Sequence, residues 1–319
     1  MLPPTYDHLR YLDAKRSVDD RALNRVVLDA LVSELARLQR PLNILEIGAG
    51  TGTMVSRLAE WGILEGAGYT LLDEDEQALS IARGRLGPQS LGQGPQSLGQ
   101  GRRGEGWKGR GSAGVDNFNA VGSTSEIALD FVCKPLDAYL EGGPPKGRYH
   151  VLIANAFLDL VDVPPLLPRL WTLLQPGHPF WFTINFDGET IFLPEHPLDA
   201  AIFALYHRSM DERMRGDARS GDSRTGRHLL EQLPRSGASL VTAGSSDWVV
   251  HAVRGDYFDD EAYFLHHIVS TIERALMAIA PADAADWQAW LRQRRAQIDQ
   301  RQLVYIAHQL DILGLAPAP

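Results

Sequence analysis

The segment Ile44-Leu45-Glu46-Ile47-Gly48-Ala49-Gly50-Thr51-Gly52-Thr53 constrains the fold of this chain more than any other feature. A short apolar run ends in three alternating glycines, and a helical pattern follows directly at Met54–Trp61. An apolar run of that length reads as a buried strand, and a strand that turns straight into a helix opens a βαβ unit. Glycine lets the backbone take dihedrals that other residues avoid and lets a ligand approach closely. Ligands of open α/β sheets sit in the crevice at the carboxyl ends of the strands. A tight strand–helix turn uses glycine as well, so the loop by itself names no ligand.

Two details narrow the choice. The spacing is Gly-x-Gly-x-Gly, whereas a dinucleotide pyrophosphate calls for Gly-x-Gly-x-x-Gly, and the Lys-Ser/Thr ending of a phosphate-binding loop is missing. Asp73 closes the next strand, 21 residues after Gly52. A carboxylate there is placed to accept both hydroxyls of a ribose. The pattern points to a nucleoside-containing ligand.

Strand and helix patterns alternate along most of the chain. Strands are predicted at 42–47, 69–72, 127–133, 149–154, 179–184, 239–243 with 248–250, and 303–308. Helices are predicted at 54–61, 75–85, 164–174, 198–215, 227–233, 259–280 and 283–300, the last charged and solvent-facing. A short helix near 6–15 precedes a long one over 18–39, capped by Ser17. The expected architecture is α/β, a doubly wound, seven-stranded, mostly parallel sheet. Residues 1–40 form an N-terminal helical extension, residues 41–319 the main domain, and residues 186–235 a helical cap on the sheet's carboxyl edge. Residues 87–122 break the rhythm. The heptad Gly-Pro-Gln-Ser-Leu-Gly-Gln occurs at 87–93 and again at 94–100, and 11 of the 36 residues are glycine. That segment reads as a disordered insertion, dispensable for folding and catalysis.

Composition bears on partners. The formal charge is −9, from 31 Lys+Arg against 40 Asp+Glu, which argues against broad binding to a nucleic-acid backbone. One cysteine, Cys133, excludes an intrachain disulfide and a multi-cysteine zinc site. No metal is expected. No run approaches a membrane span, and the N-terminus lacks a signal-peptide pattern. The expectation is a cytoplasmic protein acting on a small molecule, with a homodimer allowed.

The sequence resembles the class I S-adenosylmethionine-dependent methyltransferases. Glu46-Ile47-Gly48-Ala49-Gly50-Thr51-Gly52 is similar to their first motif, and Leu72-Asp73-Glu74 to their second. Asn155-Ala156-Phe157-Leu158-Asp159 falls where their active-site motif lies, and Leu174-Gln175-Pro176-Gly177 resembles the turn before their fifth strand. The resemblance covers about residues 42–184, and 303–308 fits the family's antiparallel seventh strand. It implies a Rossmann-like methyltransferase fold and S-adenosyl-L-methionine as cofactor, held by Glu46, Gly48, Ala49, Gly50, Thr51, Gly52, Asp73, Glu74, Asp137, Asn155 and Ala156. Asp137 is the candidate for the adenine amino group. One of Tyr11, Lys15 and Arg16 is a candidate for the methionine carboxylate. The Asn-Pro-Pro-aromatic motif of amino-directed nucleic-acid enzymes is absent.

The acceptor side is read from the cap. Tyr206–Met210 and His207–Asp211 are i,i+4 pairs, so a His207–Asp211 couple is a candidate general base, with Asn155 beside it. Phe157, Asn185, Tyr206 and Arg224 are the candidate substrate contacts, Arg224 as a fork for an anionic group. Asp187-Gly188 reads equally as a turn or as a substrate contact. The expected activity is methyl transfer to a small polar or anionic metabolite. A non-catalytic cofactor-binding protein and a nicotinamide-dependent oxidoreductase are the alternatives, the second disfavoured by the glycine spacing.

Overall fold

The computed structural model describes residues 7–86, 127–279 and 284–318. The expected insertion at 87–122 lies outside the described residues.

Five strands build the parallel part of the sheet: β1 (Asn43–Ile47), β2 (Gly68–Asp73), β3 (Ala128–Cys133), β4 (Val151–Asn155) and β5 (Pro179–Leu193). Two two-residue strands, β6 (Met214–Arg215) and β7 (Ala218–Arg219), form a separate hairpin. β8 (Ser239–Ser245), β9 (Trp248–Val250) and β10 (Val304–Leu315) complete the set. The main sheet runs β3-β2-β1-β4-β5-β10-β8, with β9 also paired to β10. The β3-β2-β1-β4-β5 pairs are parallel, and β10 runs antiparallel to β5, β8 and β9. This is the doubly wound, mostly parallel sheet with one reversed strand that the resemblance implied. The order reverses between β1 and β4, so a crevice opens at their carboxyl ends.

β1 and β4 are buried on both faces, as near-continuous apolar strands covered by helices on each side must be. One apolar core holds Val27, Leu31, Met54, Leu58, Trp181, Phe264 and Trp290. The other holds Leu45, Leu152, Leu167, Phe180, Phe182 and Leu229. The helices are α1 (His8–Ala14), α2 (Arg16–Ala22), α3 (Arg25–Leu35), α4 (Thr53–Glu60), α5 (Glu76–Leu86), α6 (Leu136–Glu141), α7 (Val163–Trp171), α8 (Asp199–Asp211), α9 (Thr225–Arg235), α10 (Glu261–Ile279) and α11 (Ala284–Asp299). Among the described residues no helix is long and apolar enough to cross a membrane, and no cluster of three or more His, Cys, Asp or Glu could hold a metal ion.

Five expectations are corrected. The long helix over 18–39 is two helices, because Leu23 and Asn24 are extended. Asn24 caps α3, while its backbone N–H donates to Asp311 Oδ2 at 2.8 Å and its Nδ2 to the Ser245 carbonyl at 2.8 Å. Contacts with the far end of the sheet thus break a periodic helical pattern. Ser17 is no cap; it lies buried in α2 and donates to Glu261 Oε1.

β5 continues nine residues past Ile184, antiparallel to a β10 that itself runs on to Leu315. Residues 186–193 of the expected cap are therefore strand. Asp187-Gly188 is no chain reversal but an irregularity in that strand, with Gly188 at φ 79°. Finally, α11 is only partly solvent-facing. Trp290, Leu291, Arg294 and Ile298 are buried. Arg294 reaches both Asp199 carboxylate oxygens at 2.5 and 2.6 Å and the Pro194 carbonyl at 2.7 Å.

Candidate functional site

The glycine turn follows β1 directly. Gly48, Gly50 and Gly52 have φ of 66°, 52° and 72°, the left-handed region that side-chain-bearing residues avoid. Gly48 is closed to substitution on a second count. A Cβ there would lie 2.4 Å from Phe157 Cδ2. The turn from β4 and the turn from β1 therefore touch at the crevice.

Asp73 ends β2 half-buried. Its Oδ2 accepts the Gly50 backbone N–H at 2.7 Å and its Oδ1 accepts that of Asp75 at 2.9 Å. Each carboxylate oxygen has taken one backbone donor and keeps further acceptor capacity. The carboxylate thus shapes the glycine turn as well as facing the crevice.

Of the remaining candidates for the cofactor, Glu46 is buried beneath the turn and accepts the Tyr69 hydroxyl at 2.9 Å. Burial pushes its carboxyl up to about 8, although the Tyr69 hydrogen bond and Arg57 pull the other way. Ala49 is buried and donates its N–H to the Leu72 carbonyl. Thr51 is buried and takes Arg85 at its carbonyl and hydroxyl at 3.0 and 3.1 Å. Glu74 is exposed and paired with Arg215 of the β6–β7 hairpin. Asp137 is exposed in the first turn of α6, with Arg169 at 2.5 Å. Asn155 Oδ1 accepts the Thr183 hydroxyl at 2.8 Å, and Ala156, at φ 51°, turns the chain out of β4.

The N-terminal helices cover this edge. Leu12 Cδ1 is 3.5 Å from the Cβ position of Gly50, and Asp13 is clasped by Arg85 at 2.6 Å. Tyr11 stacks on His267 with ring centroids 3.9 Å apart. Lys15 is buried and paired with Asp19 at 3.2 Å, and Arg16 is paired with Glu60 at 2.9 Å. Both candidate cations for a cofactor carboxylate are thus engaged within the protein. Asp19 also accepts the Trp248 indole N–H at 2.9 Å and faces Arg57.

On the acceptor side the expected His207–Asp211 couple is not formed. His207 Nε2 shares a hydrogen bond with the Thr190 hydroxyl at 3.0 Å, and its ring meets Phe186 edge-on. Asp211 instead accepts the Ser223 backbone N–H at 2.7 Å, which pins the loop before α9. Sequence spacing permitted the couple, but β5, extended beyond Ile184, supplies a nearer partner. Burial holds the His207 imidazole below its usual range, against the pull of Glu189 and Asp211. Asn185 is wholly buried. Its Nδ2 donates to the Leu310 carbonyl at 2.8 Å, so it stitches β5 to β10 instead of facing the crevice.

His207, Asp211 and Arg224 line one groove of about 630 Å³ between β5 and α8, together with Glu189 and Glu195. No residue of the glycine turn lines it. Arg224 is exposed and, among the described residues, has no ion pair. Tyr206 is not in this lining. It is buried, within the field of Asp159, and burial pushes its phenol up to about 12. A smaller hollow of about 240 Å³ around Asn43, Gly68 and Arg148 lies at the amino ends of the strands, away from the crevice.

Asp159 closes the Asn155–Asp159 segment, and the sequence alone assigns it no role. It stands on a 3₁₀ turn, Leu158–Leu160, directly after the β4 exit. The only sequence signal was an acid four residues past Asn155.

These features define a doubly wound α/β protein whose glycine turn and Asp73 meet at the carboxyl ends of β1 and β2. No family model matches the chain, and no curated protein matches it significantly. Solved structures do resemble it. A Bacillus halodurans C-125 protein described as a methyltransferase is 13% identical with a TM-score of 0.48, over 91% of this chain and 98% of that one. A SAM-dependent methyltransferase of Methanosarcina mazei is 11% identical with a TM-score of 0.44, over 93% and 99%. Geranyl diphosphate C-methyltransferase of Streptomyces coelicolor A3(2), solved with S-adenosyl-L-homocysteine, is 10% identical with a TM-score of 0.43, over 90% and 74%. Likeness at this level says nothing about the acceptor, and the site's own geometry carries the reading that follows.

Proposed function

We propose that this chain binds S-adenosyl-L-methionine across the carboxyl ends of β1 and β4 and transfers its methyl group to a small polar or anionic acceptor. The carrying observation is the pairing of a three-glycine turn at positive φ with Asp73, whose carboxylate is locked beside that turn by the Gly50 N–H. The positive-φ turn holds Asp73 at the crevice edge, and Asp73 offers its free lone pairs to the ribose hydroxyls. The bound cofactor supplies an already activated methyl group. The chain's task is alignment and exclusion of water, and α1 over the glycine turn serves the second.

The groove between β5 and α8 is the proposed acceptor site. Arg224 is available there to orient an anionic group. His207, held neutral by burial, is able to take a proton if the acceptor must lose one.

Native mass spectrometry of the purified protein tests the cofactor half, with S-adenosylmethionine or S-adenosylhomocysteine expected and NAD contradicting it. Calorimetry on Asp73→Ala sharpens it. Loss of two charge-assisted hydrogen bonds at roughly 1.5–3 kcal/mol each predicts at least a 100-fold weaker complex. Unchanged affinity would remove Asp73 from the site.

A further inference from the structure

The order of the sheet reverses between β1 and β4, so a ligand lies across their carboxyl ends. Asp73 marks the β2 side of that crevice. A ligand extending from Asp73 across the glycine turn next meets the chain leaving β4, where Phe157 touches Gly48. Asp159 follows two residues later on the same turn. Its Oδ1 has no exposed surface and no hydrogen-bond partner among the described residues, and no cation comes within ion-pair distance.

The groups that face it are known. Arg213, just past α8, and Lys15, between α1 and α2, attract its charge from a distance, and Asp222, in the loop before α9, opposes it. The phenols of Tyr206 on α8 and Tyr11 on α1 lie within its field. Burial raises the carboxyl above its ordinary value. Its own backbone N–H steadies the charge, but a carboxylate with one oxygen out of water and without a partner either takes up a proton or acquires a cation.

We infer that Asp159 is the counter-ion of the cofactor's sulfonium, so that this site distinguishes positively charged S-adenosylmethionine from its neutral product, S-adenosylhomocysteine. The inference rests on the cofactor reading above. The two ligands share every other ionisable group, so a difference in their proton linkage isolates the sulfonium. Binding of the cation requires Asp159 to be ionised. S-adenosylmethionine affinity therefore rises with pH through the acid range in which the raised carboxyl titrates, and levels off above it. S-adenosylhomocysteine binding lacks that slope.

The test is titration calorimetry of the full-length protein with each ligand between pH 5 and 7.5, in buffers of differing ionisation enthalpy. Wild type is expected to release a proton on binding S-adenosylmethionine at the acid end and to bind it more tightly at pH 7.5 than at pH 5, with less than about a twofold change for S-adenosylhomocysteine. Asp159→Asn, nearly isosteric, is expected to flatten the S-adenosylmethionine profile. It should weaken that ligand by roughly tenfold at pH 7.5 and leave the product within about twofold. Equal weakening of both ligands would make Asp159 a structural residue and overturn the inference. So would a pH slope that survives in Asp159→Asn, which would move the proton to Glu46 or another group. Equal proton linkage for the two ligands in wild type overturns it with no variant needed. If wild type binds neither ligand, the cofactor reading fails first, and the calorimetry shows that as absent heat instead of altered linkage.

Discussion

One wall of the crevice comes from a single stretch of chain, residues 43–73, which runs from β1 through the glycine turn and α4 to the end of β2. Its decisive contact, Gly50 N–H to Asp73, joins residues 23 apart. The β5–β10 side of the sheet, the second wall, is assembled from distant segments. Asp311 on β10 accepts the backbone N–H groups of Ile184 on β5 and Asn24 before α3, both at 2.8 Å. Ile184 is a β-branched residue at φ 56°, a conformation held only where surroundings over-determine it. Here the buried Asp311 carboxylate and the β5–β10 pairing do so. The first wall is a local motif that could be read from spacing. The second depends on the rest of the fold closing around it, so the two should respond differently to substitution.

The sharpest way to break that contrast is Gly48→Val. Strain at positive φ adds about 1–3 kcal/mol, and the clash with Phe157 adds a similar amount. Cofactor affinity should fall by on the order of 100-fold or more, and a second substitution, Phe157→Ala, should restore part of it. Calorimetry on the single and double variants checks this. A single variant that binds normally would show that the first wall is not set by its turn.

Arg294→Ala probes the far side of the molecule. It leaves the Asp199 carboxylate, 14% exposed, without its cation, and breaking such a pair costs about 3–5 kcal/mol. The chemical-denaturation midpoint should drop sharply, while the folded fraction keeps its cofactor affinity. Equal damage to affinity would mean that this α8–α11 clasp supports the cofactor site.

Asp311 gives the second wall a pH signature that its own variant isolates. Burial raises its carboxyl to about 6, despite the hydrogen bonds from Asn24, Ile184 and Ser246. The folded value lies above the ordinary carboxylate value, so the protonated form is favoured on folding. The contribution is fully present below about pH 4 and is lost as pH rises through about 6, a change of roughly 1–3 kcal/mol. Denaturation profiles of wild type and Asp311→Asn should differ in slope across that window. Parallel slopes would remove Asp311 as the source.

The smallest effect on stability is expected at Arg224. Arg224→Ala should leave the melting midpoint within the equivalent of about 0.5 kcal/mol, since the side chain is exposed and has no ion pair among the described residues. It should also leave S-adenosylmethionine affinity unchanged while lowering kcat/KM once an acceptor is found. A variant with full turnover would take Arg224 out of the acceptor site.

What could be read without coordinates was whatever depends on near neighbours. Strand β1, the glycine turn, helix α4 and the strand-ending Asp73 are legible because an apolar run, three glycines and a carboxylate at fixed spacing have few backbone solutions. Helix α8 and the i,i+4 placement of His207 and Asp211 are local in the same way.

Whether that pair bonds is not local. It was decided by β5 running on to Leu193 and bringing Thr190 to His207, an extension that requires β10, more than 100 residues later, to supply the pairing groups. The break between α2 and α3 has the same origin, since Asn24 gives up helical geometry to meet Asp311 and Ser245. Asp159 shows the limit most clearly. Its place after β4 could be counted from sequence, but its isolation could not, because a missing partner is a property of everything packed around it. Local backbone preference determined the turn and its acid. Long-range pairing and burial, which no spacing encodes, determined which side chains are left free to act.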